Sequence, residues 1–315
     1  MRKIIIITVL MILTSLLVSC AGLPGKTDKD TTITTQYRTG SQGLMLRFAP
    51  NLPPNRLFDT EPFNALIEVE NRGAYPVGGP NDRLYLSGFD PSIITGILEW
   101  GTEIPYVEGK TQFVTQGGMD VVAFKGNIAP LGPKNIDKYP VRLLATACYA
   151  YETIATAPVC IDPNPYAPTT RPKICTPAAA SLGGGQGGPI AVSRIEVEPS
   201  PDRTRFKIHV QNVGGGEVFR SGGNYLQKCS PFTEGLAFDE IDYVELRDVQ
   251  VSGVSIKPTC KPLDNNHIRL TNGQGQVFCE LMTRGQDAYT TPMTVTLDYG
   301  YRTSLFKDME IVSVY

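Results

Sequence analysis

Seven cysteines, two histidines and a short run of acids are the residues through which this chain could do chemistry. Asp239, Glu240 and Asp242 supply hard oxygen donors. That donor type suits calcium, although the spacing is not that of a known calcium loop. Charges on the solvated edge of a sheet give the same string. His209 alternates with Ile208 and Val210, so it points away from their face. His267 sits in the turn-like string Asp264-Asn265-Asn266-His267. Neither has a serine or cysteine nucleophile motif beside it. Gly183-Gly184-Gly185-Gln186-Gly187-Gly188 lacks the Lys-Ser/Thr and the helix that a phosphate loop needs. No catalytic constellation emerges, and the expectation is a non-enzyme. A carboxylate-based hydrolase of envelope polymers stays as a further alternative, because carboxylate separation is a three-dimensional quantity.

Cys148, Cys160, Cys175, Cys229, Cys260 and Cys279 form an even set once Cys20 is set aside. In an exported chain they are disulfide candidates, with fifteen connectivities open. Three fall in each half of the chain, so full pairing requires at least one bridge between the halves. The preferred set is Cys160–Cys175, Cys260–Cys279 and a crossing bridge Cys148–Cys229. Zinc is disfavoured, since no Cys-x-x-Cys occurs. The candidates for ligand contact are Trp100, the only tryptophan, and Tyr106, both in the long polar stretch 95–118. Long loops are often functional.

These residues must be held by strands. Gly and Pro are abundant, as suits short strands joined by turns. Leu44, Leu46 and Phe48, then Phe63, Ala65, Ile67 and Val69, alternate with polar or outward neighbours at the period of half-buried strands. Asp90 with Pro91 reads as the start of a short helix. A repeat runs through the chain. Tyr149-Ala150-Tyr151-Glu152-Thr153 returns as Tyr299-Gly300-Tyr301-Arg302-Thr303, 150 residues later. Ile67-Glu68-Val69-Glu70-Asn71-Arg72-Gly73 returns as Ile208-His209-Val210-Gln211-Asn212-Val213-Gly214. Tyr85-Leu86 returns as Tyr225-Leu226. The paired tyrosines read as sheet packing with hydroxyls reaching a rim.

The 315 residues therefore divide into a leader at 1–19, a polar tether at 20–42, one module at 43–155, a Pro/Gly-rich linker at 156–189 and a second module at 190–315. Arg2 and Lys3 precede an apolar run from Ile4 to Leu17, the layout of a signal peptide. Removing the leader takes 29 basic residues to 27, against 31 acidic. That balance argues against nucleic acid as a partner.

Two resemblances add to this. Leu17-Val18-Ser19-Cys20 resembles the lipobox of prokaryotic lipoproteins. It implies that Cys20 is lipidated and becomes the N-terminus of a membrane-anchored, extracytoplasmic protein, at the outer membrane in a double-membrane bacterium. The Val-x-Asn-x-Gly strand ends and the later Val-x-Leu-x-Tyr strand resemble immunoglobulin-like modules of the CARDB and S-layer-associated kind. They imply an all-β chain of two tandem antiparallel β-sandwiches. They also imply a structural, adhesion or protein- or glycan-binding role in the cell envelope. The alternative is a calcium-dependent adhesion or solute-binding lipoprotein.

Overall fold

The structure, a computed structural model, describes residues 37–167, 172–285 and 287–314. The leader, Cys20 and the first part of the tether lie outside the described residues. The first copy contributes β1 (Leu44–Phe48), β2 (Arg56–Phe58), β3 (Pro62–Asn71), β4 (Arg83–Ser87), β5 (Ile94–Thr95), β6 (Thr102–Glu103), β7 (Met119–Ile128) and β8 (Lys138–Ile161). The remainder contributes β9 (Ala180–Ser181), β10 (Ile190–Ser200), β11 (Arg203–Asn212), β12 (Glu217–Phe219), helix α1 (Gly223–Lys228), β13 (Tyr243–Val251), β14 (Val254–Ser255), β15 (His267–Arg269), β16 (Gln274–Met282) and β17 (Tyr289–Val312). The fold is all-β, as the alternation predicts, and its sheets do not close into a barrel.

Three sheets make two sandwiches. One outer sheet has the order β1-β3-β7-β5, and the other β16-β11-β10-β9. Both pack on a single nine-stranded sheet whose central neighbours are β8 and β17. These two strands are 24 residues long each, against the usual 3–10. At about 3.4 Å per residue each has a contour of roughly 80 Å. They pair antiparallel along their whole length, from Lys138 opposite Val312 to Ile161 opposite Tyr289. Each long strand therefore serves both sandwiches. The second half of β17 passes β1, and β10 lies against β8. β2 of the first copy pairs in parallel with the end of β17. Val141, Leu143, Ala145 and Ala147 join one continuous core with Met293, Val295 and Leu297.

The repeated tyrosines sit where the register crosses. Ala150 lies opposite Gly300, Tyr149 opposite Tyr301, and Tyr151 opposite Tyr299. All four rings are buried, with neighbouring centroids 5.9–6.2 Å apart. Edge and tilted contacts at that spacing are favourable aromatic geometry. Their hydroxyls end on backbone and side-chain partners within the fold. Tyr301 donates to Asn212 Oδ1 at 3.1 Å and accepts from the Gly216 amide at 2.7 Å. Tyr151 donates to the Gly187 carbonyl at 3.1 Å and accepts from the Tyr75 amide at 3.3 Å. The Val-x-Asn-x-Gly ends explain themselves here. Asn71 Oδ1 accepts from the Gly73 amide and its Nδ2 donates to the Tyr75 carbonyl, while Asn212 does the same with Gly214 and Gly216. Each asparagine closes a turn and meets the tyrosine of its own copy.

Three expectations are revised. Tyr225 and Leu226 lie in α1, not in a strand, so they do not match Tyr85 and Leu86. Leu226 and Cys229 follow the period of a helix face and are buried against the shared sheet. Asp90 caps a single turn, accepting from the Ser92 amide, and the chain then enters β5 without forming a helix. The stretch 156–189 is not a free span. β8 continues to Ile161, β9 joins the second outer sheet, and the Gln186 side-chain amide donates to the Val192 carbonyl and accepts from the Val192 amide. The end of the tether docks there too, with Gly40 bonded to Gly184 and Gly187.

Candidate functional site

Helix α1 covers part of the outer face of the shared sheet. There Phe219, Leu226, Cys229, Tyr85 and Cys148 form a second, smaller core. Cys148 points outward because it is one residue from the inward Tyr149, and it bonds to Cys229 at the end of α1. This bridge joins segments 81 residues apart and ties the second copy's helix to the first copy's strand. Cys160–Cys175 and Cys260–Cys279 complete the set. All three bridges are those that parity and spacing favour.

Beside this small core lies a cleft of about 470 Å³, lined by Asn81, Arg83, Tyr85, Glu99, Trp100, Gln227, Ser230, Phe232 and Thr233. Such a volume is in the range of small-ligand sites. Five of these residues come from the first copy and four from the second, so neither sandwich builds it alone. β4 supplies Arg83 and Tyr85, pairing with β6 and with β8. Tyr85 is buried and its hydroxyl meets Ser230. Burial raises the phenol above its ordinary range, the Ser230 bond opposing the shift, so it stays a neutral hydroxyl.

Trp100 reaches the cleft through a tight turn. The Gly101 amide donates to the Leu98 carbonyl, and Gly101 has a φ of 69°. A Cβ on Gly101 would stand 2.7 Å from the Tyr85 ring, so only glycine lets this turn press on β4. The indole itself is 68% exposed and Phe232 is 39% exposed, an aromatic pair facing solvent. Arg83 is ion-paired with Glu103 at 3.3 Å. The polar lining is otherwise two amides, two hydroxyls and the Glu99 carboxylate.

Of the residues singled out from sequence, Trp100 reaches the cleft and Tyr106 does not. Tyr106 is exposed beside the bridge between Val77 and Val107, away from the lining residues. Elsewhere in that stretch Ile104 and Val107 enter the main core, while Leu98 and Phe113 stay exposed. Sequence reasoning singled out none of the other eight lining residues as ligand contacts, Arg83, Gln227 and Phe232 among them. They come together only when α1 folds over the sheet.

The structure lends the calcium expectation at Asp239, Glu240 and Asp242 no support. Glu240 is spent on Lys228 and on the Ala237 amide. Both interactions hold its carboxyl below the ordinary range, the Lys228 bond first. Asp239 uses its backbone carbonyl to accept from Arg220. Among the described residues no three acidic, histidine or cysteine side chains converge as a metal set. His209 bonds to Glu196 and His267 to the Asn265 carbonyl and Arg220, so the two belong to different networks.

A different acidic group stands on the outer face. Asp298 lies opposite both Glu152 and Glu245, and Arg247 bonds Asp298 at 3.2 Å and Glu152 at 2.9 Å. Burial pushes Asp298 up to about 6, with Glu152 and Glu245 adding to the rise and Arg247 opposing it. None of these acids lines the Trp100 cleft.

No family model matches the chain, and no curated protein does. Among solved structures, the chain is similar to one described by the words "The Enterococcus faecalis MSCRAMM ACE binds its ligands by the collagen Hug Model". Identity is 8%, over 88% of this chain and 97% of that one, with a TM-score of 0.16. A score so low carries no argument about fold or function.

Proposed function

We propose that this chain is a lipid-anchored binding module of the prokaryotic cell envelope, which holds an envelope protein or glycan in the Trp100 cleft without turning it over. The observation that carries the reading is an exposed indole on a stiff support. The turn that carries Trp100 presses on Tyr85 at Gly101, and the helix of the facing wall is tied to the sheet by Cys148–Cys229. Affinity comes mostly from such preorganised sites, because little ordering remains to be paid on binding. Three disulfides suggest an oxidising, extracytoplasmic compartment. Among the described residues no helix is long and apolar enough to cross a membrane. The lipobox at Cys20 supports an anchor at the membrane surface, with the polar tether as spacer.

Two measurements test this. Intact mass of the membrane-extracted chain is expected to carry a diacylglyceryl group on Cys20; an unmodified Cys20 removes the anchor. Co-sedimentation of the full chain with purified envelope fractions is expected to fall when Trp100 is replaced by Ala. Equal sedimentation of the two chains removes the cleft as the binding site. Release of soluble fragments from those fractions would replace binding with hydrolysis.

A further inference from the structure

We infer that the cleft between the two copies is a site for an uncharged glycan, with one pyranose ring stacked on Trp100. This rests on the binding-module reading above and narrows it to one ligand class.

The lining carries the inference. A pyranose has a face of C–H bonds and a rim of hydroxyls. The C–H face needs a flat apolar partner presented to solvent, and aromatic side chains supply it at low entropic cost. Trp100, 68% exposed, is such a surface, and Phe232 offers a second across the cleft. The hydroxyl rim needs groups that both donate and accept. Asn81 and Gln227 each bring an amide with both functions, whereas the Thr233 hydroxyl is spent on the Lys228 and Ser230 carbonyls and that of Ser230 on Tyr85 and the Phe232 amide. These neutral groups sit on both walls, so a ring on Trp100 meets polar partners from both copies.

Charge narrows the class further. Arg83 is already paired with Glu103, and Glu99 adds a negative charge beside the indole. No unpaired cation among the lining residues waits for a phosphate or a carboxylate, which would want one. A peptide is the weaker fit. Peptides are held through main-chain bonds to a sheet edge, through an apolar groove or on a Pro-specific aromatic groove. The polar groups gathered here are side-chain amides and hydroxyls, Gln227 on α1 and Asn81, Ser230 and Thr233 in turns.

Size agrees. A cleft of about 470 Å³ takes a short oligosaccharide segment better than a folded partner's surface. The Cys148–Cys229 bridge and Gly101 are positioning features. They set the distance between the two walls and touch no sugar.

Because Trp100 is the only tryptophan, the protein's own emission reports on this site. The full chain is titrated with two neutral probes, a glucose tetramer and an N-acetylglucosamine tetramer, and with a mixed-sequence decapeptide pool. Saturable quenching or a blue shift with a saccharide is expected. Calorimetry with that saccharide is expected to show a loss of about tenfold or more for Trp100→Ala and retention of most affinity for Trp100→Phe. Phe232→Ala is expected to weaken binding several-fold, with unchanged melting temperatures. Gly101→Ala is expected to weaken binding while Trp100 remains present. A saturable change with the peptide pool alone overturns the glycan class and leaves the binding module standing. No saturable change with any probe overturns the glycan class. The co-sedimentation result then decides the wider reading separately. Saccharide binding that survives Trp100→Ala overturns the stacking site.

Discussion

Tyr149 and Tyr301 lie directly opposite across the central strand pair, their ring centroids 6.0 Å apart, although 152 residues separate them in sequence. They are not equivalent members of the repeat: Tyr149 corresponds to Tyr299, and Tyr301 to Tyr151. The two copies are therefore related by a local two-fold at Ala150 and Gly300, and each tyrosine meets the non-equivalent one of the other copy. Fusing two sandwiches through one sheet removes an edge from each. It also makes the cleft wall continuous across the copies.

The hydroxyl of Tyr301 is expected to matter separately from its ring. Tyr301→Phe leaves the Gly216 amide and one Asn212 lone pair without their partner. A loss of about 1–3 kcal/mol in denaturant unfolding is expected. Tyr149→Ala, which removes a fully buried ring, is expected to cost about 3–5 kcal/mol.

Gly300 is held small by Phe219. A Cβ there would fall 2.1 Å from the Phe219 ring. Gly300→Ala is expected to destabilise by about 1–3 kcal/mol. The double change Gly300→Ala with Phe219→Leu is expected to recover part of that loss, and urea midpoints of the four chains check it.

Asp298 predicts an unusual pH dependence. Its folded-state pKa, about 6, lies above the ordinary value of 3.8. Its contribution is thus fully present below pH 4 and is lost as pH rises through 6. At neutral pH the ionised carboxylate opposes folding. Asp298→Asn is expected to raise stability at pH 7.5 by about 1 kcal/mol, discounting for partial exposure and the Arg247 contact. It is expected to change little at pH 4. Urea midpoints between pH 4 and 8 measure it; a larger gain at pH 4 than at pH 7.5 would reverse the sign.

The Cys148–Cys229 bridge spans 81 residues. On the chain-entropy account its removal costs about 4.5 kcal/mol. Cys148→Ala with Cys229→Ala is expected to lower the melting temperature and to shift the emission of Trp100, because α1 loses its tie to the sheet. Cys160→Ala with Cys175→Ala, which opens a loop of separation 15, is expected to leave that emission unchanged.

Much of the architecture was legible. Period-2 alternation located β1, β3 and β11, because one face of each is buried and the side-chain period is two, while the tyrosine repeat marked only the middle of β8 and β17. The odd count of cysteines in each half required a crossing bridge, and that bridge exists. Tyr225 and Leu226 were misread because a two-residue match carries no period, and the helix is recognisable only once Leu226 and Cys229 are seen on one face. The Asp239, Glu240 and Asp242 string left calcium and a solvated edge both open, because the sequence does not show Lys228 meeting Glu240 in space.

What the sequence by itself determined is local or countable. It holds the alternating strands, the duplication through the 150-residue repeat, and, through parity, the need for a disulfide between the halves. The tertiary structure alone decided that the two copies share one sheet. Pairing between β8 and β17 depends on register across the whole chain, and alternation within a strand does not name its neighbour. The cleft follows from that decision. Trp100 and Phe232 are 132 residues apart, and only the packing of α1 on the outer face of the shared sheet brings them to one site.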